Sequence, residues 1–307
     1  MRGWRRSRGV ALASLIAALL ASTAQGQDLE PRAYVNLPVG LNFLVAGYAY
    51  SQGGMSFDPS LPVDDAHLKI HTAVIAYARS LNLWGKSGKF DVIVPYSQLS
   101  GTALVSGASR EREVDGLNDP RVRLSVNLFG APALSMADFA RYESDLVIGA
   151  SVQVGVPVGQ YDRTKAVNLG TNRWSIKPDI GFSKAFGAAT VDLTAGVTFF
   201  GRNEDFFGGQ AVDQAPIYSM QGNLSYDFGR GTWAALGATY YSGGRTTVNG
   251  VPMDNALSNS RAGLTVALPI DRAWSMKLHA SSGISTRTGT GFDIVGFLLQ
   301  YRWLDGM

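Results

Sequence analysis

Between residues 40 and 303 the chain alternates apolar and polar positions in short runs, and the gaps between runs are by turns short and long. In one run Tyr218, Met220, Gly222, Leu224, Tyr226 and Phe228 share one face of a pleated strand, and Ser219, Gln221, Asn223, Ser225 and Asp227 share the other. Twelve strands are predicted, at 40–51, 66–81, 89–99, 119–129, 144–157, 173–186, 190–201, 216–228, 232–242, 257–269, 273–287 and 291–303. Gly85 to Gly88, Gly187 to Ala189, Gly229 to Gly231 and Ile270 to Arg272 read as tight hairpin turns. The alternate connections, 52–65, 100–118, 158–172, 202–215 and 243–256, are long and rich in Gly, Asp and Ser, with a shorter one at 288–290.

Short turns on one rim and long loops on the other are what an even-stranded membrane barrel requires, and a two-sheet sandwich has no reason to sort its loops this way. The predicted fold is therefore all-β, a transmembrane antiparallel up-and-down β-barrel of twelve strands. Aromatic residues give an independent reading, because barrels collect them at the two water interfaces. Trp84, Phe90, Phe129, Tyr142, Phe186, Phe228, Trp233, Trp274, Tyr301 and Trp303 fall on the short-turn side; Tyr48, Tyr50, Tyr96, Trp174, Phe199, Tyr218, Tyr240, Tyr241 and Phe292 fall towards the long loops. The last strand sets Val295, Phe297, Leu299, Tyr301 and Trp303 on one face and ends near the terminus, which is similar to the assembly signal read by the barrel-assembly machinery. Gly130 to Glu143 is a long connection on the short-turn side, with one helical turn expected near 137–141.

The beginning of the chain changes the charge picture. Arg2, Arg5, Arg6 and Arg8 precede an apolar run from Val10 to Ala21 and small residues through Gly26, so residues 1–26 read as a secretory signal peptide of the Sec type. Its removal takes four of the 27 basic residues and none of the 24 acidic ones, leaving a slight acidic excess and no nucleic-acid footprint. There is no cysteine, which excludes disulfides, thiolate metal sites and a lipidated N-terminal Cys. Residues 27–39 carry Pro31 and Pro38, which argue against a membrane strand; this segment is expected at the periplasmic mouth, as a cap or a plug, before the barrel at 40–303.

Several motifs carry a family resemblance. Asp28 to Tyr34 with Pro38 to Phe43, Asp115 to Arg123 with Leu128 to Leu134, and Val156 to Asp162 with Asn168 to Trp174 resemble the outer-membrane proteins of the MetA-pathway of phenol degradation family. The resemblance spans nearly the whole mature chain and implies a transporter-like barrel of the Gram-negative outer membrane, passing small hydrophobic or aromatic solutes. It names no substrate.

Assigning strand faces by parity, with the apolar side to lipid, sends Lys69, His71, Arg121, Arg123, Arg173, Lys177, Arg261, Lys277 and Arg302 into the lumen together with Asp91, Asp145, Asp179, Asp192 and Asp227. These are the candidate selectivity residues, either a polar path or a network of ion pairs that fills the interior. Arg121 and Arg123 need an acidic partner on a neighbouring strand, such as Asp91 or Asp145. His67 and His71 would lie about 13 Å apart on a strand, too far for one metal. Glu111, Glu113 and Asp115 read as a solvated acidic loop, and Ca²⁺ or cations bridging to lipopolysaccharide are a second reading of it. No cofactor or catalytic motif emerges: Gly85-Lys86-Ser87 lacks the first glycine of a phosphate loop, and Gly181-Phe182-Ser183-Lys184-Ala185 lies inside a strand. The favoured function is a passive channel. Two alternatives stay open: a closed structural or adhesive barrel with aromatic loop tips at Phe206 and Phe207, and a barrel lipase using His279 and Ser281.

Overall fold

A computed structural model describes residues 31–305 apart from 57–62, 106–107, 166 and 207–208. The leader expected at 1–26 lies outside the described residues, as does Phe207. In chain order the strands are β1 (Leu41–Ser56), β2 (Val63–Leu83), β3 (Lys86–Val105), β4 (Ala108–Leu117), β5 (Arg121–Phe129), β6 (Leu146–Gly155), β7 (Ser175–Phe186), β8 (Ala189–Phe200), β9 (Asn203–Phe206) and β10 (Gln210–Gln214). They continue with β11 (Ile217–Gly229), β12 (Thr232–Gly243), β13 (Thr246–Val248), β14 (Val251–Pro252), β15 (Leu257–Pro269), β16 (Trp274–Ser285), β17 (Gly289–Thr290) and β18 (Asp293–Leu304). One helical turn, α1 (Met136–Phe139), lies between β5 and β6.

The wall closes. Each strand pairs antiparallel with the next along β1, β2, β3, β5, β6, β7, β8, β11, β12, β15, β16 and β18, and β18 returns to β1 from Leu41↔Leu304 to Gln52↔Asp293. β4 and β5 occupy one wall position, both pairing with β3, so twelve positions are filled. Closure pairs the wall strands on both sides, leaving no open sheet edge inside a bilayer.

Hairpin geometry explains the short rim. Trp84 and Gly85 adopt φ of 56° and 80°, and Arg230 and Gly231 adopt 53° and 87°. Two-residue turns with positive φ match the twist of their flanking strands, so β2 and β3 run up to Leu83 and Lys86. The turn expected at 85–88 is thus Trp84-Gly85, and Lys86, Ser87 and Gly88 belong to the strand.

The long side departs from the sequence reading. Residues 100–118, expected as a loop, form a hairpin in which β3 and β4 pair from Tyr96↔Leu117 to Val105↔Ala108. Alternating Arg110, Glu111, Arg112 and Glu113 suit two-sided strand exposure as well as they suit a loop. A four-stranded sheet in the order β14-β13-β10-β9 organises the connections expected as loops at 202–215 and 243–256. Glu111, Glu113 and Asp115 therefore sit on β4, with Tyr96 donating a 2.6 Å hydrogen bond to Asp115.

The outer face is apolar along most of the wall. Leu44, Ile75, Leu124, Phe182, Leu193, Met220, Leu224, Leu236, Leu278 and Phe297 are all exposed. Trp84, Phe129, Phe186, Phe228 and Trp274 crowd one rim, and Trp174, Phe199, Tyr218 and Tyr240 the other. Trp233, Tyr241 and Phe292 leave these girdles: at 0%, 1% and 2% exposure they are buried inside.

Candidate functional site in the barrel lumen

The inner surface is built by the alternate residues of each strand, and it divides into arcs. Midway along β18, β1, β2 and β3 an apolar patch points inward: Val45, Val74, Ala76, Ile93 and Leu298 form one buried cluster. Towards the long loops the arc continues in Leu68, Ile70, Leu99 and Phe292, joined by Leu169. This arc reverses the polarity assumed for β2. Ala66, Leu68, Ile70, Thr72, Val74, Ala76 and Ala78 point inward and are buried, so Lys69 and His71 point outward. Lys69 is exposed in register with Gln52 and Ser100, and His71 meets the Tyr48 hydroxyl at 2.5 Å. Neither is a lumen residue, because interior packing rather than water fills this side.

The arc from β3 to β11 is charged. Asp91 is buried in register with Arg123, whose Nε donates to Ser151 Oγ at 2.9 Å and whose Nη2 lies 3.6 Å from Asp179 Oδ1. Ser151 in turn donates to Asp179 Oδ2 at 2.7 Å. Arg121 shares the inward face of β5 with Arg123, and Lys177 shares that of β7 with Asp179. Asp192 on β8 and Asp227 on β11 complete the inward carboxylates. Asp145 does not belong with them: it precedes β6 on the short-turn rim, exposed, and pairs with Lys184. That Lys184 contact holds its carboxyl below the usual range.

Residues 31–40 cross this arc. The Arg32 amide donates to Asp192 Oδ2 at 3.2 Å, the Arg32 guanidinium lies 3.7 Å from Asp227 and 5.4 Å from the centre of the Trp233 ring, and the Tyr34 hydroxyl donates to Asp179. Three inward carboxylates thus hold one short segment. Room for it comes from Gly149 and Gly181, paired directly across β6 and β7. A Cβ on either would fall 2.0 or 2.2 Å from a carbon of the Tyr34 ring. Sequence reasoning missed Arg32 and Tyr34, but two facing inward glycines were a legible sign of a notch.

The long connection after β5 secures the same segment. Val39 donates to the Leu134 carbonyl at 2.9 Å, Asn36 Nδ2 to Pro132 at 3.2 Å, and Ser87 to Ala131 at 3.0 Å. The connection therefore bridges the 31–40 segment to the β2–β3 turn.

The remaining arc, β12, β15, β16 and β18, has a different chemistry. Their sequences contain a single acid, Asp293, and it faces outward, accepting from Ser282 at 2.5 Å. Inward lie Arg261, donating to Ser281 Oγ at 2.8 Å and to the Phe292 carbonyl at 2.7 Å, and Lys277, 5.5 Å from the Trp233 ring centre. Arg302 sits at the short-turn rim, donating to the Arg272 carbonyl at 2.9 Å. His279 and Ser281 point inward, but His279 contacts Thr265 Oγ1 at 3.0 Å and Ser281 receives Arg261, so no His–Ser hydrogen bond forms.

At the long-loop mouth, residues from three separated stretches converge on Asp119. Its carboxylate accepts from Gly159 N at 2.9 Å, Thr171 N at 2.8 Å and Thr171 Oγ1 at 2.6 Å. This node fixes Arg173, which follows two residues later, buried over the Phe200 ring at 4.9 Å with Nη2 on Gln214.

Residues 51–301 match the family described as "Putative MetA-pathway of phenol degradation". The chain belongs to this family. The stretches meeting at Asp119 are three of those that carried the resemblance. No curated protein matches the chain. Among solved structures it is similar to the COG4313 outer membrane channel from Pseudomonas putida F1, at 20% identity and a TM-score of 0.77, covering 90% of this chain and 100% of that one. A more distant likeness is to the transport unit of the autotransporter AIDA-I from Escherichia coli, at 8% identity and a TM-score of 0.51, covering 85% and 90% of the two chains. Both share the fold of outer-membrane barrels.

Proposed function

We propose that this protein is an outer-membrane channel for passive passage of small hydrophobic or aromatic solutes, with residues 31–39 acting as a displaceable plug. The carrying observation is how the lumen is occupied. A barrel serving only as wall or adhesin can fill its interior with its own strand side chains. Here space is cut into the wall, at Gly149 and Gly181, to receive a segment that precedes the first strand. The segment is noncovalently held, by ion pairs and hydrogen bonds to the wall and by Tyr34 and Leu37 packed against it.

Two further features support the reading. The apolar arc of β18, β1, β2 and β3 faces charged arcs across the same lumen, a pairing suited to a solute with a ring and a polar end. The family's description, which names phenol degradation, points the same way, and the likeness to an outer membrane channel supports passage. Outward Val295, Phe297, Leu299, Tyr301 and Trp303 would meet lipid and lipopolysaccharide and present the final strand to the barrel-assembly machinery.

Planar-bilayer recording of the full barrel and of a form lacking residues 31–39 tests this. Small or intermittent conductance steps are expected from the full chain and several-fold larger ones from the deletion. Sealed barrels in both would overturn the channel reading in favour of a structural or adhesive one.

A further inference from the structure

The connection from β6 to β7 is pinched at its base. Gly159 N and Thr171 N both donate to the Asp119 carboxylate, and a Cβ on Gly170 would fall 2.8 Å from the Gly159 carbonyl, so the two ends touch. Between them residues 160–169 form a compact loop with its own bonding. Asn168 accepts from Asp162 N at 2.9 Å and donates to the Lys165 carbonyl at 3.0 Å, and the Tyr161 hydroxyl donates to the Asp205 carbonyl at 3.1 Å. The stem fixes where the end of the loop points.

It points inward. Leu169, 8% exposed, belongs to one buried cluster with Leu68 and Ile70 of β2, Leu99 of β3 and Phe292 just ahead of β18. Leu68, Ile70 and Leu99 are inward residues of the wall, so Leu169 lies within the mouth and not above it. Phe292 arrives from the far side, because β18 stands six places from β7 in the twelve-strand order. Arg112 borders the cluster, but its Nε and Nη1 donate to the Val167 and Glu113 carbonyls at 3.1 and 3.2 Å. Side chains from opposite sides of the mouth thus meet as apolar groups. Such a narrowing resists ions, which would shed water with nothing to replace it, and favours a ring, which gains contact.

We propose that Leu169 is a specificity-determining residue: with Phe292 and the inward faces of β2 and β3 it makes an apolar constriction at the long-loop mouth that admits small apolar or aromatic solutes and refuses ions and sugars. This rests on the channel reading and adds to it a selective step apart from the 31–39 segment. The two barriers separate in a recording, since the segment sets how often the path opens and the constriction sets how much then passes.

The chain has no cysteine, so placement is read by single thiols in the full-length barrel. Leu169→Cys should react with a charged maleimide many-fold more slowly than Arg163→Cys, on the exposed side of the same loop. Equal rates would overturn the placement. In planar bilayers, full-length Leu169→Asn should give conductance steps several-fold larger than the unaltered chain at unchanged frequency. Leu169→Ala frees more space but stays apolar, and should enlarge the steps less. Phenol in the chamber should reduce the steps of the unaltered chain several-fold more than those of Leu169→Asn. Unaltered steps in Leu169→Asn, or larger ones in Leu169→Ala, would overturn the constriction and leave the channel reading standing; equal block by phenol would overturn its preference for rings. Absence of steps in every form would overturn the channel reading and the constriction together. Folding is checked by heat-modifiable migration on gels. If Leu169→Asn does not fold, Val114→Thr, which adds a hydroxyl beside the same cluster, decides, with unaltered step size overturning the constriction.

Discussion

Two arcs of one barrel interior solve the problem of buried charge in different ways. From β5 to β11, Arg123, Asp179, Asp192 and Asp227 are joined to one another or to Arg32 and Tyr34, so each charge has an opposite or a hydrogen-bond partner close by. From β12 to β18 the inward wall holds Arg261 and Lys277 with no inward acid, and the cations lean on a hydroxyl, a carbonyl and an indole. An ion pair assembled across strands fixes geometry, because removing either partner strands the other. Arg261, held by a hydroxyl and a backbone carbonyl of its own arc, keeps its place without an acid. The first arc is suited to docking the 31–40 segment.

Trp233 stands where the arcs meet, and its loss should have the largest effect. The side chain is fully buried, with Arg32 on one contact and Lys277 on another. Trp233→Ala should cost roughly 3 to 5 kcal/mol in urea unfolding of the reconstituted barrel, as large-to-small changes at buried aromatics do. The segment should also become mobile, visible as faster amide exchange at Arg32 to Val35. A cost below about 1 kcal/mol would mean the arcs are independent.

A smaller effect isolates the docking arc. Gly149→Ala places a methyl 2.0 Å from Tyr34 Cδ1, and the overpacking should cost about 1 to 3 kcal/mol or expel the ring. Gly222→Ala, whose added carbon comes no nearer than 3.4 Å to Leu193, is the matched control and should be near neutral. In bilayers Gly149→Ala should approach the conductance of the barrel lacking residues 31–39, while Gly222→Ala should not. Equal conductance in the two variants would detach Tyr34 from gating.

Much of this fold is legible in the alternation of Tyr218 to Phe228 and its counterparts, because a strand with lipid on one side and a wet interior on the other must alternate. The rule fails where a third environment intervenes. On β2 the interior is packed by Phe292, Leu169 and Leu99, so Leu68 and Ile70 turn inward and Lys69 and His71 outward, and parity alone reports the wrong face. Trp233 and Tyr241 defeat the girdle reading for a related reason: an inward aromatic near a strand end has the same sequence position as an interfacial one. Asp145 lies one residue before its strand, where a boundary error moves a side chain from the wall to the rim. Asp119 was visible as part of a motif, but its role needs Gly159 and Thr171, some 40 and 52 positions away.

Acidification should separate the arcs by the smallest margin. Beside the docking arc, the 130–145 connection carries Asp138, held below the usual carboxylate range by the Ser135 hydroxyl and then by Arg141, and Asp145, held low by Lys184. Both are more acidic folded than unfolded, so their contribution is complete above the ordinary carboxylate range and is lost as pH falls through the lowered folded values. Both are solvent-exposed, so the loss is slight and local. It falls on the connection that holds Val39 and Asn36 through Leu134 and Pro132. Hydrogen exchange should therefore quicken at Val39 and at Ala133 in acid, while β12, which contains neither an acidic residue nor a histidine, keeps its protection. Equal acid sensitivity in the two arcs would show that one cooperative unit, rather than two differently charged ones, surrounds the lumen.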